Sequence, residues 1–165
     1  MRFDEFPFSP HLVQARWILD KLPSEEVPHL AQTALANGYD GKYVCRIAGL
    51  IAPNNADLQP LMNGFLSELG IERSLSTEEA GWSLARFIAD AIAQRRIAPY
   101  EGARFIWKNI VNEIWPNEQH PLLTFVGNAS EYEDCGSYSD DIDKARRTIE
   151  QRIIEDAQEL LEATR

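Results

Sequence analysis

Between Lys108 and Lys144 the sequence holds no lysine or arginine, yet it carries Glu113, Glu118, Glu131, Glu133, Asp134, Asp140, Asp141 and Asp143. Clustered carboxylates can bind a hard cation, move protons, or hold a basic partner. The first use fails on spacing. A calcium loop begun at Asp140 or Asp141 needs glycine at its sixth position and glutamate at its twelfth. The sequence puts Ala145 or Arg146, and then Gln151 or Arg152, at those places. The second use needs one carboxyl with a raised pKa, and Glu131 and Asp134 would share a face if their segment is helical. Nothing in the sequence supplies the burial that would raise it. The third use remains. Glu131, Tyr132, Glu133, Asp134, Tyr138, Asp140, Asp141 and Asp143 form the expected docking set for a basic protein, the tyrosines adding stiff amphipathic contact area. Against it stands the plain reading, in which these acids solvate a loop and complement a helix start.

Other chemistries find no motif. His11, His29 and His120 are scattered, and neither HExxH nor CxxC occurs, so zinc is not expected. His29 and His120 adjoin prolines, where a surface role is the expectation. Cys45 beside Val44 and Ile47 reads as a small buried hydrophobe. There is no GxSxG elbow, P-loop or GxGxxG, and no cofactor is expected. A net charge of −10 repels phosphate backbones and anionic lipid, which argues against nucleic acid and membrane partners. Arg86, Arg95, Arg96, Arg104 and Lys108 gather locally, but Asp90, Glu101 and Glu113 interleave with them. The opening MRFDEFPF is too acidic for a secretory signal, and no uncharged apolar run reaches membrane-spanning length. The cytoplasm is the expected location.

The elements that must position such a site read as helices. Residues 80–115 give two amphipathic helices across an Ile97-Ala98-Pro99 corner. Leu84, Phe87, Ile88, Ala91 and Ile92 line one, and Ala103, Ile106, Trp107, Ile110, Val111 and Ile114 the other. Upstream, Ser9-Pro10 opens a helix carried through Leu22 to a stop at Pro23. Ser24 with two glutamates opens a second, closed by Asn37-Gly38 and facing inward through Val27, Leu30, Ala31, Ala34 and Leu35. Asp40 is the expected cap of a third, and Asn54-Asn55 leads a fourth to Gly70. Ser76 with Glu79 has capping-box spacing. Residues 119–134 could be a short strand, but Leu122, Phe125, Val126, Ala129 and Tyr132 keep a helical rhythm through Gly127. A last helix begins near Asp140 or Asp141 and buries Ile142, Ala145, Ile149, Ile153, Ala157, Leu160 and Leu161. Trp17, Trp82, Trp107 and Trp115 are expected in the core.

Two stretches, CRIAGLIAPNNADLQPLMNGFLSELG (45–70) and LARFIADAIAQRRIAPYEGARFIW (84–107), resemble a family of small all-helical bacterial proteins of unassigned function. The matching residues are capping glycines and apolar positions, so the resemblance implies a fold and no catalytic residue. The expectation is an all-α, single-domain bundle of seven to eight helices, mostly antiparallel hairpins. Its job would be protein–protein interaction, of the immunity or antitoxin kind, rather than catalysis. The alternative is a small-molecule-binding or hydrolytic enzyme with a pocket between hairpins. Sequence leaves the oligomeric state open.

Overall fold

Side-chain oxygens sit where the sequence leaves backbone amides free. In the computed structural model, which describes residues 3, 6–114, 120–137 and 141–163, Ser9 accepts from the Leu12 amide. It opens α1 (Pro10–Ile18), with proline in the first turn. This helix ends earlier than its apolar line suggests. Asp20 turns left-handed at φ 55°, the Lys21 amide donates to the Arg16 carbonyl at 2.8 Å, and Leu22 is buried from the loop. A 3-10 turn at Ser24–Glu26 leads into α2 (Val27–Ala36), and Gly38 closes it at φ 89°. Leu35, expected inside, is 37% exposed.

The cap of α3 (Lys42–Ala48) is not Asp40. Its free amides are met by Glu68 at the end of α4 (Asn55–Glu68), whose Oε2 accepts from Tyr43 and Val44 at 2.7 and 2.9 Å. Gly41 makes room for that carboxylate, since a Cβ there would lie 2.1 Å from Glu68 Cδ. Helix α4 starts with a capping box between Asn54 and Asp57 and stops at Gly70, φ 83°. The Ser76–Glu79 box opens α5 (Thr77–Ala93) as its spacing requires, with both reciprocal bonds present.

After the corner, α6 runs through three segments: α-helical Pro99–Ile106, a π turn at Trp107–Val111, and Asn112–Ile114. The wider turn adds a residue to the 3.6-residue rhythm. Ile110 and Val111 are both buried inside it, while Trp107 and Ile114, expected in the core, are partly exposed. Residues 123–134 are a helix, α7 (Leu123–Asp134), which passes through Gly127. Asp141 accepts from the Lys144 amide and starts α8 (Ile142–Ala163). Ile142 itself is 38% exposed, because the helix turns its buried face inward only from Ile149 onward. Trp115 and Pro116, expected as a core residue and a helix stop, lie outside the described residues.

The fold is all-α, with eight helices and no strand among the described residues. No helix among them is long and apolar enough to cross a membrane. The chain forms two compact units, residues 2–80 and residues 81–165, the division falling within α5. In the first unit Val27, Ala31, Val44, Ile47, Leu58 and Phe65 are fully buried in one core. Trp17 packs on its edge, half-buried. In the second unit α6, α7 and α8 pack on one another, and Phe125, Ala129, Ile149 and Ile153 are buried.

Glycine at two helical positions has opposite meanings. The Tyr43 ring lies over Gly64, and a Cβ there would come within 2.6 Å of three ring atoms, including Cγ. At Gly127 a Cβ meets nothing within 4 Å. Gly127→Ala is therefore expected to stabilise by about 0.5–1 kcal/mol through helix propensity and unfolded-state entropy. Gly64→Ala should destabilise by about 1–3 kcal/mol despite the same propensity gain. Urea denaturation of both variants checks the signs, and adding Tyr43→Ala to Gly64→Ala should recover part of the loss.

Candidate functional site

The described members of the expected docking set fall on α7 and at the start of α8. Tyr132 of α7 stacks on Tyr100 of α6, their centroids 4.1 Å apart and planes 13° from parallel. The Tyr100 hydroxyl donates to Glu133 Oε1 at 3.0 Å, and Arg104 Nε lies 3.3 Å from the same oxygen. Arg152 of α8 pairs with Glu131 at 2.6 Å, and the Arg146 guanidinium stands 5.0 Å from the Tyr132 ring centroid. Partial burial raises the pKa of both phenols, with Glu133 adding to it at Tyr100 and Glu150 at Tyr132.

An interval without bases in sequence thus meets three arginines in space. They come from α6 and α8, which pack against α7. Glu131 and Glu133 are engaged, and Asp141 caps α8. Asp134 and Asp143 are exposed, and their side chains form no hydrogen bond or ion pair among the described residues. Tyr138 and Asp140 lie outside the described residues. A hollow of about 250 Å³ beside the Glu131–Arg152 pair is lined also by Asp141, Lys144 and Thr148. Asp156, further along α8, accepts from Asn128 of α7 at 2.6 Å, and burial pushes its carboxyl above the ordinary range.

The remaining candidates separate. Among the described residues no three histidine, cysteine or carboxylate side chains gather as a metal site. His29 is exposed, as expected, and so is His11. His120 instead packs on Trp82, centroids 4.6 Å apart, and its Nδ1 accepts from the Leu122 amide. Cys45 is exposed, because the α3 face buried against α4 runs through Val44 and Ile47 and leaves residue 45 outside. Cys135 is the buried one, its thiol donating to the Tyr132 carbonyl at 3.2 Å.

Sequence reasoning missed a groove of about 800 Å³ in the first unit, between α1, α4 and residues 71–77. Gln14, 2% exposed, donates from Nε2 to the Arg73 carbonyl at 2.7 Å and ties that segment to α1. Arg73 grips Glu79 through two bonds, at 2.8 and 3.3 Å. That pairing, with the Ser76 amide, holds the Glu79 carboxyl at about 2. The signal was present: Asn55, Gln59, Asn63 and Ser67 recur every four residues on α4 and line one wall.

Fold and surfaces define an all-helical protein with a groove and a tyrosine–carboxylate face. Comparison with protein families, curated proteins and solved structures finds no match. The likeness over 45–70 and 84–107 therefore rests on those residues alone.

The two shifted carboxyls predict opposite pH signatures. A carboxyl lowered by folding stabilises above its unfolded pKa and loses that contribution as pH falls through the folded value. Glu79→Gln should therefore lower Tm at pH 7, with the gap to wild type closing as pH falls from 4.5 towards about 2. Asp156 has the reverse sign. Its raised pKa favours folding below the ordinary value of 3.8, and that help is lost as pH rises through the folded value. Asp156→Asn should raise Tm at pH 7, with the gain vanishing below pH 3.8. Thermal melts across pH check both.

Proposed function

We propose that this is a non-enzymatic interaction module of the immunity or antitoxin kind, which holds a basic protein partner in the cytoplasm. The docking face is the one shared by α6, α7 and α8. The stacked Tyr100–Tyr132 pair carries the reading: two rings already ordered against each other present amphipathic area at little further entropic cost. Around them the ion pairs are exchangeable. Glu131 with Arg152 and Glu133 with Arg104 are all 39–57% exposed, and such pairs contribute about 0–1 kcal/mol. A partner's lysine or arginine can displace the chain's own arginines at small cost, and Asp134 and Asp143 are already available to it. A second reading, a small-molecule-binding or hydrolytic site, draws on the groove of the first unit.

The test is affinity capture from the native host, using wild type and an Asp134→Lys/Asp143→Lys variant of matched Tm. A basic protein should be retained at low salt and released at about 1 M salt, where the screening length is about 3 Å. The variant should lose at least about tenfold in affinity, equivalent to about 1.4 kcal/mol. Equal retention of the same protein by both would remove the reading.

A further inference from the structure

We infer that the groove between α1, α4 and residues 71–77 binds a short, extended, lysine- or arginine-bearing polypeptide segment, read mainly through its backbone. This goes beyond the docking face on α6–α8 and uses none of its residues. The groove wall is a ladder. Asn55, Gln59, Asn63 and Ser67 stand at successive four-residue steps, all are exposed, and none of their side chains forms a hydrogen bond among the described residues. Each amide offers a donor and an acceptor together, which is what a peptide unit presents in return.

The spacing selects the occupant. Four residues of helix rise about 6 Å, whereas an extended chain presents N–H and C=O groups to the same side every two residues, about 6.6–6.8 Å. Over the three steps from Asn55 to Ser67 the mismatch accumulates to only about 2 Å. Side chains of this length absorb that. The ladder spans about 18 Å, enough for five or six extended residues.

The remaining walls set the side-chain preference. Trp17, half-buried, offers an aromatic surface on the α1 side. Arg73 is neutralised by Glu79, whereas Asp20 and Glu72, both exposed, form no side-chain hydrogen bond or ion pair among the described residues. The net field at the groove is therefore negative, and a basic side chain on the segment is the complement.

The test uses the whole protein and fluorescein-labelled octapeptides from a library with lysine or arginine fixed at a central position, read by anisotropy. Binding peptides should lose about tenfold in affinity for each amide removed in Gln59→Ala and Asn63→Ala, while Asn112→Ala, an exposed amide outside the groove, changes nothing. Asp20→Asn with Glu72→Gln should erase the preference for lysine over norleucine. N-methylation of alternate peptide nitrogens should abolish binding in one register and spare it in the other. Three results overturn the inference: no octapeptide bound at about 1 mM, binding indifferent to the groove variants, or binding of linear oligosaccharides such as chitohexaose in place of peptides. Because these variants leave the α6–α8 face intact, their failure is distinguishable from failure of that face.

Discussion

Short helices cannot hold themselves, and the first three helices of this molecule are short. α1, α2 and α3 have 9, 10 and 7 residues, below the roughly 12–15 at which an isolated helix is even marginal in water. Each persists only where its apolar face is covered and its end amides find acceptors. Glu68 supplies the acceptor for α3. One carboxylate oxygen takes the amides of Tyr43 and Val44, which fixes α3 against the end of α4 and sets the Tyr43 ring over Gly64. Val44 and Ile47 are thereby carried into the core of the first unit.

What was readable in the sequence was what the chain decides locally. Ser9, the Ser76–Glu79 box, Gly38 and Gly70 act within a few residues of themselves, and the structure uses each as its type suggests. Helix α7 was readable too, since its apolar rhythm outlasts one glycine. What was not readable depends on partners distant in the chain. The α3 cap comes from Glu68, not the adjacent Asp40, because packing outranked proximity. The end of α1 at Asp20 and the π turn in α6 are choices of backbone path that apolar spacing does not encode.

The same division runs through the surfaces. Sequence identifies the acids around Tyr132 but not Arg104, Arg146 and Arg152, which only helix packing brings to them. The amide ladder was the reverse case. Its spacing is plain along α4, but attention to Leu58, Leu61, Met62 and Phe65 picks out the buried face and passes over the opposite one. Arg16 shows how seriously the fold treats a charge it does bury. At 3% exposure it donates to the Lys21 carbonyl and to Glu26, with its guanidinium 4.0 Å above the Phe3 ring. An arginine so placed is tolerated because its charge is paired and hydrogen-bonded.

The two cysteines end up in opposite settings, and this confines the redox behaviour of the molecule. Cys135 is sealed in the interior with its thiol directed at a carbonyl, whereas Cys45 faces solvent on α3. In an oxidising medium the folded chain has a single sulfur of its two thiols within reach of oxidants or glutathione. A disulfide made by the intact fold must therefore join it to another molecule, and an internal bridge requires the second unit to open first.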